Sequence, residues 1–523
     1  MAQANAMNTR RADSSDTAPD NMTRDAAPSS RIKAIGIVGA GAMGAGIAQV
    51  AATAGYDVLL FDQRPGAAEQ ACGSVLQRID RRVSRGRLSE KDRAMIGAHL
   101  KAQKELADLA SCDLIIEAIV EDLDIKRDLF VALAAMTGPD TILVSNTSSL
   151  PIGAIAAGNP QADRIAGLHF FNPVPVMKLV EVIPGPDTHA DAMACLMGFV
   201  RTLGHMPVQV RDTPGFLVNY GGRAFLTEGL ALLQDCVAEP TQIDAVMRDC
   251  WGFSMGPFEL MDLTGTDINL AVTEFIHQSS FSDPRLRSTF RHRYQFQTGQ
   301  LGRKAGRGYY DYSDGATRPS PDAKVEALPA RAIYLADGVD VEIANLAAGL
   351  VQILQEDDGE CAILAAPLGE DCSAFCARTG LDPRRVMALD VTGSLATRVT
   401  LMAAPGVRAD IRDSVVAVFA KDRQVTLIAD SPGFIGQRIV AMIANLGCEM
   451  SQRQLARPDD IDTAMRLGLN YPLGPLELAD AMGAGAVFTI LCEIQRLTGD
   501  DRYRPSSWLR RRVELGLPIR QPD

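Results

Sequence analysis

Only six histidines are spread over the 523 residues, and one of them sits where an imidazole could do work. In GLHFFNPVPVMKLVEV, residues 167–182, His169 closes one apolar run and Glu181 falls in the next. Between them Asn172-Pro173-Val174-Pro175 cannot continue a central strand, because neither proline has an N–H to offer a ladder. The chain must cross irregularly and resume as a strand over 177–182. His169 and Glu181 then lie on neighbouring extended segments where their side chains can meet. A carboxylate on one imidazole nitrogen fixes the tautomer, raises basicity and leaves the other nitrogen free for proton transfer. A histidine in an apolar strand is usually a satisfied core residue. Here the spaced carboxylate, and a dinucleotide motif upstream, favour the chemical role.

That motif is Gly39-Ala40-Gly41-Ala42-Met43-Gly44. It follows a β-rich run at 34–38 and opens a helical pattern carried by Met43, Ile47, Val50 and Ala51. A second apolar run, 58–61, then ends at Asp62. A lone GxGxxG says little, but strand, glycine loop, helix and strand-end acid together describe a dinucleotide-binding βαβ unit. Gly39 permits the tight turn, Gly41 lets backbone approach a pyrophosphate, and Gly44 lets the helix pack closely. The helix N-terminus supplies amides and positive dipole to the phosphates. Asp62 would accept hydrogen bonds from the adenosine ribose and repel a 2′-phosphate, which favours NAD over NADP. Arg64, two residues on, could offset part of that repulsion.

Two more strands are legible, CDLIIEAIVED (112–122) and the start of DTILVSNTSSLPIGAI (140–155). Ligands of an open parallel sheet lie outside the carboxyl ends of its strands. Glu117, Lys126 and the Ser148 turn therefore share a rim with the glycine loop and His169, although each taken alone is more often a cap or turn residue. The stretch SVLQRIDRRVSRGRLSEKD (74–92) reads as one long polar helix. Arg78, Arg81, Arg82 and Arg85 recur along one of its faces. Such a row is either an anion site for a phosphorylated substrate or a solvated face.

GAGAMGAGIAQ, IEAIVED, NTSSL, GLHFFNPVPVMKLVEV, DTPGFLVN, GPFELMDLTG and GRKAGRGYYDY, in this order from about Lys33 to Tyr312, resemble the L-3-hydroxyacyl-CoA dehydrogenase family. The resemblance implies oxidation of L-3-hydroxyacyl-CoA to 3-oxoacyl-CoA with NAD, in fatty-acid or phenylacetate-type acyl-CoA breakdown. It implies that His169 is the general base and that Glu181 orients it. Ser148 would hold the substrate oxygen and touch the cofactor, and Asn219 would steady the substrate. Glu117, Lys126, Asn172 and Lys304 match the family's other cofactor contacts. Arg85, with Arg81 beside it, falls where the family carries a basic residue near the coenzyme A phosphates. Oxidising an alcohol does need a base at the hydroxyl and a hydride acceptor held against the carbon. The competing readings are an NAD-dependent dehydrogenase of a free hydroxy or sugar acid, and a non-catalytic NAD-binding structural protein.

These residues need a scaffold, and the chain is long enough for several domains. Residues 1–30 are polar and aperiodic, which predicts a disordered tail without a secretory h-region. The NAD-binding Rossmann domain is expected over 31–212 and an all-helical domain over 213–315. A linker at 316–330 leads to a small Rossmann-like α/β domain at 331–429, with strand-like runs RAIYLAD, CAILAAPLG and SVVAVFA. Positions 218 further on repeat the helical motifs: Asp212-Thr-Pro-Gly-Phe becomes Asp430-Ser-Pro-Gly-Phe, and Gly256-Pro257 becomes Gly474-Pro475. Residues 430–523 thus read as a second helical domain. Asn219 is matched there by Gln437 and no GRKAGRGYY run follows, so the copy reads as structural. Tethered in one chain, the two copies are expected to pair as a pseudo-dimer. The net charge of −12 argues against nucleic acid as a partner. No apolar run spans a bilayer, and ten scattered cysteines without metal-ligand spacing point to no metal and a cytoplasmic, reducing setting.

Overall fold

The computed structural model describes residues 31–324, 331–339, 347 and 349–523, so the expected disordered tail and part of the expected linker lie outside the described residues. The chain divides into two compact units. Gln454–Leu469 groups with the residues up to Tyr220, and Asn470–Asp523 groups with Gly221–Arg453.

The first unit holds eight strands: β1 (Ala34–Val38), β2 (Asp57–Phe61), β3 (Leu100–Ala102), β4 (Leu114–Glu117), β5 (Ile142–Ser145), β6 (Ile165–Phe170), β7 (Leu179–Pro184) and β8 (Met206–Gln209). They form one sheet ordered β3-β2-β1-β4-β5-β6-β7-β8. Every pair is parallel except β6 with β7. Helices cover both faces, so β4 and β5 are buried throughout and apolar up to their last residues, Glu117 and Ser145, rather than alternating. Ile35, Ile37, Val58 and Leu60 share one core with Ile47, Ala48 and Ala51 of the helix Ala42–Thr53. Strand order reverses at β1, and the crevice outside the carboxyl ends of β1 and β4 is where such sheets bind ligands.

The polar stretch 74–92 is not one helix. A helix Ala67–Ser84 stops where Gly86 turns left-handed at φ 67°, and a new one, Glu90–His99, starts under a Ser89/Asp92 capping box. Arg85 therefore caps the first helix instead of extending a row along it.

The second unit begins with helices Arg223–Gln234, Pro240–Trp251, Pro257–Thr264 and Thr266–Ser279. Among the described residues six strands follow: β9 (Ile333–Leu335), β10 (Ile353–Leu354), β11 (Ala362–Ala365), β12 (Val386–Leu389), β13 (Arg398–Ala403) and β14 (Gln424–Ile428). They are ordered β10-β9-β11-β12-β13-β14, again with a single antiparallel pair, β12 with β13. The architecture is thus a Rossmann domain, a helical domain, a reduced Rossmann-like domain and a second helical copy. SVVAVFA, expected as a strand, is the end of the helix Ala409–Phe419. Its buried Ile411, Val415, Val418 and Phe419 follow the helical period, and that outweighs the β-branched composition. No single described helix is long and apolar enough to cross a membrane.

The repeat is visible in the backbone. Pro240–Trp251 and Pro257–Thr264 recur as Pro458–Leu469 and Pro475–Met482, each 218 residues on. It also reaches upstream of the helices. Asp212 accepts the Ile152 and Gly153 amides at the helix after β5, and Asp430 accepts those of Cys372 and Ser373 at the helix after β11. Within the second unit the helix Ile435–Gln452 packs along Arg223–Gln234. Buried Arg438 donates to Glu228 at 2.8 Å, and Tyr503 joins the same carboxylate at 2.7 Å.

Candidate active site

The antiparallel register of β6 and β7 sets His169 directly opposite Glu181. Their side chains meet at 2.7 Å, Nδ1 to Oε2, with Glu181 fully buried. A carboxylate only accepts, so Nδ1 is the donor of this bond, and in the neutral imidazole that leaves the lone pair on Nε2. The other oxygen of Glu181 accepts the Leu217 and Val218 amides at 3.0 and 2.9 Å. Those amides belong to the DTPGFLVN segment, whose Phe216 sits at φ 48°, an uncommon conformation for a bulky residue. Phe171 and Phe216 place their rings 4.4 and 5.8 Å from the imidazole. Sequence reasoning missed both amides and both rings, because no spacing signals a backbone donor or a flanking ring.

The β5 turn brings in Ser148, which is exposed. Glu121 fastens that turn, accepting from Thr147 Oγ1 at 2.6 Å, Ser149 Oγ at 2.8 Å and the Ser148 amide at 3.0 Å. Burial would raise the Glu121 pKa, but the Thr147 hydroxyl, the Lys126 charge and the other donors outweigh it and hold it below the usual range. Asn219 donates from Nδ2 to the Ser148 carbonyl at 3.4 Å, so His169, Glu181, Ser148 and Asn219 are gathered in one unit.

At the glycine loop, Gly39 has φ 107° and a Cβ there would lie 2.4 Å from the Ala118 carbonyl. A Cβ on Gly44 would lie 1.8 Å from the Gly39 carbonyl, whereas one on Gly41 would meet nothing within 4 Å. The turn is closed, the helix is tight against it, and the middle of the loop, Ala40 to Met43, is open to a ligand. Asp62 stands beside it, accepting the Ala40 amide at 2.8 Å. Arg64 holds the same carboxylate through its amide, Nε and Nη2, at 3.0, 3.0 and 3.2 Å. That guanidinium lowers the Asp62 pKa to about 2.

The remaining expected residues fall less simply. Glu117 and Lys126 are buried and bonded to each other at 2.6 Å, with Ser145 on the second oxygen of Glu117. They brace the loops after β4 and β5. Asn172 is exposed on the crossing segment. Lys304 belongs to the other unit, where it pairs with Asp267. Arg78 donates to Gln49 at 2.8 Å, which takes it out of the expected arginine row, while Arg81 and Arg85 are exposed.

The second sheet repeats this geometry with different residues. Its ladder pairs Arg398 with Gln424 where the first pairs Leu179 with Met206. Thr400 then occupies the position of Glu181. Asp390, whose amide donates to the Thr400 carbonyl, occupies that of His169. Gln437, matching Asn219, donates to the Pro367 carbonyl at 3.1 Å and to Asp390 at 3.3 Å. No imidazole stands at that position, and the buried Gln437 carboxamide bonds Asp390 there.

The family profile described as "3-hydroxyacyl-CoA dehydrogenase, NAD binding domain" matches residues 34–213. The "3-hydroxyacyl-CoA dehydrogenase, C-terminal domain" profile matches twice, at 215–312 and 433–521. The chain is 37% identical over 490 residues to the 3-hydroxyadipyl-CoA dehydrogenase of Escherichia coli K12, covering 92% of this chain and 98% of that one. It is 39% identical to a probable 3-hydroxybutyryl-CoA dehydrogenase of Deinococcus radiodurans, which covers 53% of this chain and is itself 99% covered. Among solved structures, a 3-hydroxybutyryl-CoA dehydrogenase from Escherichia coli K12 superposes with a TM-score of 0.82 at 35% identity, over 92% of this chain and 98% of that one.

Proposed function

Given that the chain belongs to the 3-hydroxyacyl-CoA dehydrogenase family and oxidises 3-hydroxyacyl-CoA substrates with NAD, we propose that His169 is its general base and Glu181 the residue that orients it. The observation that carries this reading is the 2.7 Å bond between them. Nε2 of His169 takes the C3 hydroxyl proton, and the imidazolium that forms is stabilised by the buried carboxylate on Nδ1. The two amides on the far oxygen stop Glu181 from turning away. Ser148 holds the substrate oxygen, and Asn219 steadies the substrate and the Ser148 backbone together. The open centre of the glycine loop and Asp62 fit a dinucleotide. NAD bound there supplies the hydride acceptor. Glu117 and Lys126 would act on the cofactor indirectly, by fixing the loops after β4 and β5, and Asn172 is assigned to it as a family contact.

Substitution of His169 by Gln is expected to lower kcat by roughly 10²–10⁴-fold while NAD still binds. A variant retaining more than about a tenth of the rate would remove His169 from the base role. For the acyl group, the likeness over 92% of this chain to a 3-hydroxyadipyl-CoA dehydrogenase supports a chain of that kind, ending in a carboxylate. NADH formation with 3-hydroxyadipyl-CoA against 3-hydroxybutyryl-CoA tests this. Arg81 and Arg85 are assigned to the coenzyme A phosphates. The second helical copy is read as an internal pseudo-dimer partner, a reading supported by the packing of Ile435–Gln452 on Arg223–Gln234 and by the Arg438–Glu228 pair.

A further inference from the structure

Asp62 has no acceptor site to spare. A carboxylate offers about four lone-pair positions, and four N–H groups already meet this one: those of Ala40, the Arg64 backbone, and Arg64 Nε and Nη2. A ribose bound there cannot donate to Asp62 until the Arg64 guanidinium leaves. The two partners differ in how free they are, since the Asp62 side chain is 9% exposed and that of Arg64 is 69% exposed. The guanidinium is free to swing into solvent, whereas the carboxylate is enclosed and stays in place. The released group stays tethered two residues from the acid. Its planar fork carries five donors, of which Asp62 uses two, and the other three suit a phosphate.

We propose that Arg64 is a swinging specificity residue at the adenosine 2′ position, which makes way for the ribose of NAD and bridges Asp62 to the 2′-phosphate when NADP binds. The inference rests on the assignment of Asp62 to the ribose. Without Arg64, a 2′-phosphate would face an unscreened carboxylate that cannot retreat. With it, a carboxylate–guanidinium–phosphate chain forms, and NADP becomes a usable second cofactor. The depressed Asp62 pKa agrees, because a proton there would have to displace the same guanidinium.

The test uses the full-length protein with Arg64→Ala and Asp62→Ala. Two quantities are measured: the ratio of kcat/KM for NAD and NADP, and inhibition by 5′-AMP and by adenosine 2′,5′-bisphosphate. Arg64→Ala is expected to raise the NAD:NADP ratio at least tenfold and to weaken the bisphosphate at least tenfold relative to 5′-AMP. A ratio and relative inhibition within twofold of wild type would overturn the bridging role. If Asp62→Ala leaves every value unchanged, the ribose assignment itself is wrong and the proposal falls with it. If Asp62→Ala narrows the ratio while Arg64→Ala does nothing, only the Arg64 inference fails.

Discussion

Glu181 divides its carboxylate between two tasks, one oxygen on the imidazole and the other on two amides. The pair itself was legible, because two prolines between two apolar runs force an irregular crossing and return the second run beside the first. The amides were not, since Leu217 and Val218 lie some 36 residues away and enter through backbone alone. Their presence sharpens what a substitution does. In Glu181→Gln the carboxamide can still accept from the Leu217 and Val218 amides but brings no charge to an imidazolium. The expected outcome is a fall in kcat of about 10²-fold or more with KM little changed, checked by steady-state kinetics on 3-hydroxybutyryl-CoA. A fall confined to KM would mean that Glu181 serves binding rather than proton transfer.

At the scale of elements, the strand–glycine-loop–helix unit was readable because each glycine answers a separate steric demand. Gly44 shows how strict that demand is. A methyl there meets the Gly39 carbonyl, which is backbone held between β1 and the loop and cannot rotate aside. Gly44→Ala is expected to cost on the order of 1–3 kcal/mol of stability and to weaken NAD binding more than tenfold, read by thermal melts with and without NAD. A variant with wild-type NAD affinity would show that the helix can back away from the loop. The elements that depart from expectation share a cause: local punctuation and period outrank composition. Gly86 and Ser89 mark the break in 74–92, and the 411–415–418–419 spacing marks the helix inside SVVAVFA. The second centre was hidden for a different reason. A constant offset of 218 sets Glu181 against Val399 and His169 against Met387. The ladders instead pair them with Thr400 and Asp390, because β13 lies one residue out of step with the helical motifs, and β12 three.

For the whole molecule, the duplicated half contributes burial to the first helical copy. Glu228 is fully buried and takes its charge partners, Arg438 and the more distant Arg502, from the second copy. Removing one partner of a buried pair typically costs about 3–5 kcal/mol, so ending the chain after Thr317 strands that carboxylate and bares the Arg223–Gln234 helix. The expected product self-associates or aggregates, as followed by light scattering and size-exclusion chromatography. A soluble, monomeric and fully active truncation would show that the second copy is dispensable as a packing partner. The order of domains was readable from the repeat. The allotment of Gln454–Leu469 to the unit of the first sheet was not, because a helical motif carries no mark of the surface it will cover.

That allotment has a consequence for how the chain is made. The Arg211 amide donates to the Leu455 carbonyl, and Gly468 fits against Leu179 and Val218, beside the strand that carries Glu181. At translation rates of roughly 5–20 residues per second, the roughly 250 residues separating these partners take on the order of 10–50 s to emerge. Through that interval the dinucleotide-binding sheet is without the segment that packs beside β7 and β8, and the last piece of its own unit to be synthesised comes from within the repeated half.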